Sequence, residues 1–228
     1  MNRRRFAALA TATAILGAAS IALAASAPAT WDGLVRTKSS KLQYVYLLPG
    51  ANFRAYTRVM LDPTEVAFKK NWARDINSRS VRSLSGRVTD ADVERMVDEG
   101  GKAASEIFAR AFAAGGFPVV TTPGDDVLRV RTAVVNLTVT APDRMTSGRS
   151  STFAGEAGTA TLVIEARDSV SGALLARVVD PQVVGDSGIM LNRTSVLNRA
   201  DFRATAERWA KSTVSGLQQL KNTSSANP

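Results

Sequence analysis

Apolar and polar positions along the chain follow two rhythms. A spacing of about 3.6 residues marks a helix with one buried face, and strict alternation marks a half-buried strand. The first rhythm is clearest over 89–116, where Val93, Met96, Val97, Ala104, Ile107, Phe108 and Phe112 share one face. Thr89 stands where an N-cap belongs, and Asp90, Asp92 and Glu94 suit the positive end of the helix dipole. Gly115-Gly116 ends the pattern. Gly100-Gly101 interrupts it, and each glycine costs about 1 kcal/mol relative to alanine in a helix interior. The pair predicts either a bend or a second backbone lying close. A second amphipathic helix is predicted over 200–220, with Phe202, Ala206, Trp209, Thr213, Leu217 and Leu220 on its stripe.

The second rhythm predicts short strands at Tyr44–Leu48, Tyr56–Leu61 and Glu65–Lys69, and a long one over 127–140. In the long strand Leu128 and Val130 share one phase, whereas Val135, Leu137 and Val139 share the other. A bulge near Thr132–Val134 would reconcile them, because one extra residue flips the register. Residues 159–180 read as a hairpin turning at Asp168–Gly172, with Glu165 and Arg167 paired on its wet face. Residues 73–87 and 141–158 read as polar loops, and 181–199 as irregular. Strands with one wet face and helices with one apolar stripe predict an α+β fold. The expected form is a two-layer sandwich, a mixed or antiparallel sheet with two main helices on one face.

The N-terminus departs from both rhythms. Arg3, Arg4 and Arg5 precede an uncharged run from Phe6 to Leu23, and Ala22-Leu23-Ala24 is the small-x-small pattern of a signal-peptide cleavage site. Cleavage is expected after Ala24. The run is rich in Ala, Thr and Gly rather than Leu, Ile and Phe, so it is not read as a stable transmembrane anchor. Arg3-Arg4-Arg5-Phe6 also fits part of a twin-arginine signal, but basic leaders match that pattern often, so the general secretory route is favoured. The expected division is a signal peptide (1–24), a flexible lead-in (25–41), one α+β domain (42–220) and a disordered tail (221–228). The expected location is the periplasm.

Losing residues 1–24 removes three arginines and no acid, so the net charge falls from +9 to +6. That balance favours anionic surfaces. The expected partner is an envelope protein, lipid or polysaccharide. Nucleic acid is not expected, because no basic motif resembles a known reader. Oligomeric state is not legible.

The chain has no histidine and no cysteine. This excludes Ser-His-Asp and Cys-His nucleophile systems, thiolate redox chemistry and structural zinc sites. No Walker A, G-x-G-x-x-G or G-x-S-x-G pattern is present. No catalytic residue, cofactor or metal is expected, and the chain is read as a binding module rather than an enzyme. The alternative is a carboxylate-dependent hydrolase acting on an envelope polymer, which needs two acids converging in a cleft. Asp125 and Asp126 are the adjacent pair to watch, although Pro-Gly-Asp-Asp is also ordinary turn chemistry. The candidate binding residues are Arg144 and Arg149 in the loop 141–158, and Ile189, Met190 and Leu191 inside a polar connection. Two arginines suit an acidic group in a partner or ligand. The three apolar residues either dock a partner or plug the end of the core.

Several segments carry a family resemblance: "MLDPTEVAFKKNW", "GGFPVV", "VLRVRTAVVNLTVTAPD", "GTATLVIEARDSVSGALLARVVD" and "NRADFRATAERWA". Together, from about Leu42 to Leu217, the chain resembles the bacterial domain-of-unknown-function family numbered 3313. Ala141-Pro142-Asp143 and the block Ala157–Asp180 are its most specific parts. The resemblance implies an exported protein or lipoprotein of the Gram-negative envelope, and offers no catalytic residues to assign. Ser26 stands where lipoprotein members would carry the acylated cysteine, so a lipid tether is not implied here.

Overall fold

The computed structural model describes residues 27–79, 87–142 and 152–223. Its ten strands are β1 (Thr30–Trp31), β2 (Leu34–Thr37), β3 (Tyr44–Leu47), β4 (Arg58–Leu61), β5 (Glu65–Phe68), β6 (Val127–Val139), β7 (Thr152–Ala154), β8 (Gly158–Asp168), β9 (Leu174–Val184) and β10 (Leu191–Arg193). Its helices are α1 (Trp72–Arg79), α2 (Asp90–Ala114) and α3 (Ser195–Thr223). The main sheet runs β1-β2-β3-β9-β8-β6-β4, with β5 also beside β6. β4 and β5 lie parallel to β6, and the remaining pairs are antiparallel, so the sheet is mixed and the fold α+β.

Helix α2 follows its sequence signals. Thr89 and Asp92 form a reciprocal capping box, and Gly115 ends the helix. The paired glycines are explained by a close backbone. A Cβ on Gly101 would lie 2.9 Å from the carbonyl oxygen of Thr64, just ahead of β5. Ser105 Oγ accepts from Thr64 N and donates to Gly101 O, both at 2.8 Å, which holds the crossing in place.

Four expectations are corrected. The bulge falls later than expected, between Val135 and Thr138, where Asn136 takes φ = 53°. Leu128, Val130, Thr132 and Val134 therefore keep one phase and are all buried, and Leu137 re-enters it after the bulge. Residues 30–37, expected as flexible lead-in, form the hairpin β1–β2 around Asp32-Gly33, both at positive φ. Helix α1, Trp72–Arg79, takes up the start of the stretch 73–87 that was expected as loop. Trp72 stacks on Phe68 with centroids 4.2 Å apart, and the Asn77 amide pairs with both backbone groups of Val88. Helix α3 begins at Ser195 and runs into the expected tail as far as Thr223. The expected leader with Ala24, and residues 224–228, lie outside the described residues.

One face of the sheet is apolar. Register places Val130 opposite Ala166, Val134 opposite Leu162, and Ile164 opposite Val178. These join Ile107, Phe108 and Phe112 of α2 and Trp209, Val214 and Leu217 of α3 in a single core. One buried acid crosses that core. Asp180 accepts from Trp209 Nε1 at 2.7 Å, from Gln43 N at 2.7 Å and from Gln182 Nε2 at 3.0 Å.

The opposite face carries a row of charge across register partners. Arg131 lies opposite Glu165, Glu165 opposite Arg177, and Arg177 opposite Tyr46. Glu165 accepts from Arg177 Nη2 at 2.7 Å and, as expected from its phase, from Arg167 Nη2 at 2.9 Å. Arg177 also donates to Asp32 at 2.7 Å and lies 4.2 Å from the Trp31 ring centroid. The β1–β2 hairpin therefore covers this face by capping a buried arginine. Burial works to raise the Glu165 pKa, but the hydrogen bonds from Arg177 and Arg167 outweigh it and hold it below the ordinary value.

Two outcomes follow for stability. Gly101→Ala is expected to destabilise the protein by about 1–3 kcal/mol, because overpacking against a backbone oxygen outweighs the helix-propensity gain. Gly100→Ala meets only Val66, at 3.8 Å, and is expected to stabilise by about 0.5–1 kcal/mol. Urea unfolding of both variants measures the contrast. For Glu165 the folded pKa is depressed, so its contribution is complete above the unfolded value of about 4.3 and is lost as pH falls through the folded one. Thermal melts from about pH 6 down to pH 3 should therefore show a smaller acid loss in Glu165→Gln than in wild type. Equal slopes would remove Glu165 from the acid transition.

Candidate functional site

The apolar candidates Ile189, Met190 and Leu191 sit at a small ribbon outside the main sheet. β7 pairs antiparallel with β10, setting Phe153 opposite Asn192 and Ala154 opposite Leu191. Thr194 Oγ1 then accepts from Leu197 N at 3.2 Å, capping the start of α3.

Arg193 fixes the ribbon to the body. Its side chain is buried and donates to Asp201 of α3, to Gly155 O after β7 and to Gly185 O after β9. One guanidinium thus ties three segments through charge-assisted hydrogen bonds. Gly185 makes room for this knot. It has φ = 65°, and a Cβ there would run into Asp201 Oδ2. Ser187 N adds a hydrogen bond to Gly155 O at 3.1 Å.

The anchored ribbon turns its large apolar side chains outward. Phe153, Ile189, Met190, Val196 and Leu197 are between 48 and 69 % exposed, whereas Leu191 is half-buried. Ile189 and Met190 therefore do not plug the core. Arg144 and Arg149 lie outside the described residues. In the sequence Arg149 stands four residues before Phe153. The β7–β10 pairing brings Thr152–Ala154 beside Leu191–Arg193, two stretches that read as separate in the sequence. Sequence reasoning missed Phe153, Val196 and Leu197. Phe153 was the available signal, as the one aromatic in an otherwise polar loop.

Of the two acidic candidates, Asp125 is exposed and Asp126 is engaged by a cation. Asp126 accepts from Arg58 and from Thr57 Oγ1, and these bonds, the Arg58 one foremost, hold its carboxyl well below the usual range. It faces a guanidinium rather than a second acid. Among the described residues, no group of three His, Cys, Asp or Glu side chains converges as a metal site would require. Among the described residues, no helix is long and apolar enough to cross a membrane.

Comparison with known proteins agrees with the resemblance read from the segments. No curated protein matches the chain by sequence. Solved structures with a related arrangement include the PelC dodecamer from Paraburkholderia phytofirmans. It is 13% identical, with a TM-score of 0.32, and the match covers 72% of this chain and 95% of that one. A Xanthomonas campestris protein of the family DUF330 is 15% identical, with a TM-score of 0.41, and the match covers 78% of this chain and 93% of that one. The profile of the family described as protein of unknown function (DUF3313) matches residues 24–213, most of the chain, and the chain belongs to that family.

Proposed function

We propose that this protein is exported and serves as an envelope-associated binding module, acting by adhesion to an anionic bilayer surface rather than by turnover. The observation that supports this reading is the cluster of exposed apolar side chains on the β7–β10 ribbon and the first turn of α3. Single exposed apolar residues are ordinary, but several gathered on one anchored element mark an interaction surface. A bilayer interface takes such side chains into the boundary between head groups and acyl chains. Arg144 and Arg149, which precede β7 in the sequence, suit anionic head groups. The leader 1–24 gives the route, and the +6 charge of the remaining chain gives long-range attraction.

Cosedimentation of the chain from Ala25 onward with vesicles tests the reading. Vesicles of phosphatidylethanolamine with phosphatidylglycerol should retain the protein, and added salt should weaken retention. The double variant Ile189→Ser/Met190→Ser should bind about tenfold or more weakly, from the lost apolar burial. Arg144→Ala/Arg149→Ala should lose most of the salt dependence. Undiminished binding by the serine variant, or no binding by wild type, overturns the proposal.

A further inference from the structure

A cavity of about 450 Å³ lies between the C-terminal half of α3 and the apolar face of the sheet. Its walls are apolar: Leu42, Phe112, Val130, Ile164, Val178 and Leu217 all face it. It opens to solvent on the side of the β2–β3 loop. It falls in the range of roughly 300–1,000 Å³ that ligand pockets occupy.

Small residues make the space. Ala166 and Ala176 are register partners on β8 and β9, where larger apolar residues would fill the gap beneath the helix. Gly216 faces them from α3, and a Cβ there would meet nothing within 4 Å. Glycine in a helix interior costs about 1 kcal/mol against alanine, and neither φ nor crowding calls for it at this position.

The mouth has a different chemistry. The loop from Thr37 to Leu42 joins β2 to β3 and reaches across to α3. Lys41 Nζ donates to Ser215 Oγ at 2.8 Å, and Ser39 Oγ accepts from Leu42 N at 3.2 Å. Lys38 and Lys41 are both exposed at this rim, and among the described residues no carboxylate lines the cavity. Lys41 is thus held by a neutral hydroxyl rather than by a carboxylate. An apolar interior below a cationic, hydroxyl-bearing rim fits one kind of molecule: an alkyl chain ending in an anionic group.

We infer that this cavity binds the single alkyl chain of an anionic amphiphile, with the chain beneath α3 and the head group at Lys38 and Lys41. The site is distinct from the bilayer-facing ribbon. Val196 and Ser212 are 16 residues apart on α3, about 24 Å along the helix axis.

Titration calorimetry with dodecanoate, on the chain from Ala25 onward, tests the inference. Dodecanoate should bind below its micelle-forming concentration, whereas acetate should not. Dodecyltrimethylammonium, with the same chain and the opposite head charge, should bind at least tenfold more weakly. Ala176→Phe and Gly216→Leu each fill the cavity from a different wall and should abolish binding; if one fails to fold, the other reports. Lys38→Glu/Lys41→Glu should weaken dodecanoate at least tenfold and improve the ammonium probe. Ile189→Ser/Met190→Ser should leave dodecanoate affinity unchanged, which separates this site from the ribbon. A folded cavity-filling variant that binds like wild type overturns the inference, as does equal affinity for the two head charges.

Discussion

The buried carboxylate of Asp180 is the constraint on which the arrangement of α3 depends. A carboxylate inside an apolar core is tolerable only when donors surround it. Asp180 finds them on separate elements: the indole of Trp209, the backbone of Gln43 at the entry to β3, and the amide of Gln182 on its own strand. Trp209 stands fourteen residues from each end of α3, so the helix is pinned to the sheet at its midpoint. Its N-terminal half then runs out to the ribbon held by Arg193, and its C-terminal half stands over the cavity. Removing the carboxylate would leave buried donors without partners, a cost of about 1–3 kcal/mol for each.

The two faces of the sheet divide the work. On one, Glu165 pairs with Arg167 and Arg177, Arg131 pairs with Asp62 and Glu65, and Trp31 covers the most buried guanidinium. Those charges are committed to structure. On the other, apolar side chains meet the helices, and the lysines at the rim lie outside the row. The charge available for an anion therefore sits at the edge of the apolar face.

Much of this was legible in the residues. Local signals that act within one turn of helix or one hairpin read correctly: the Thr89 cap, the Gly115 stop, the Asp168–Gly172 turn and the Glu165–Arg167 pairing. The Asp32-Gly33 turn was equally local but stood between two very short strands, so its polar surroundings masked it. Helix α1 and the bulge at Asn136 were set by tertiary contacts that no local pattern carries: the Phe68–Trp72 stack and the register of β6 against β8. The pairing of β7 with β10 was also long-range, and with only three residues each the two strands left no local pattern. The cavity had no signature, because Ala166, Ala176 and Gly216 are unremarked one at a time and matter only when they face each other.

Hydrogen exchange at the Trp209 indole N–H, followed by nuclear magnetic resonance in wild type and Asp180→Ala, tests the central claim most directly. The account predicts that in wild type this proton exchanges only through global unfolding, and that in the alanine variant it exchanges much faster than the backbone amides of β8. Equal protection of the indole relative to those amides in both proteins would contradict it.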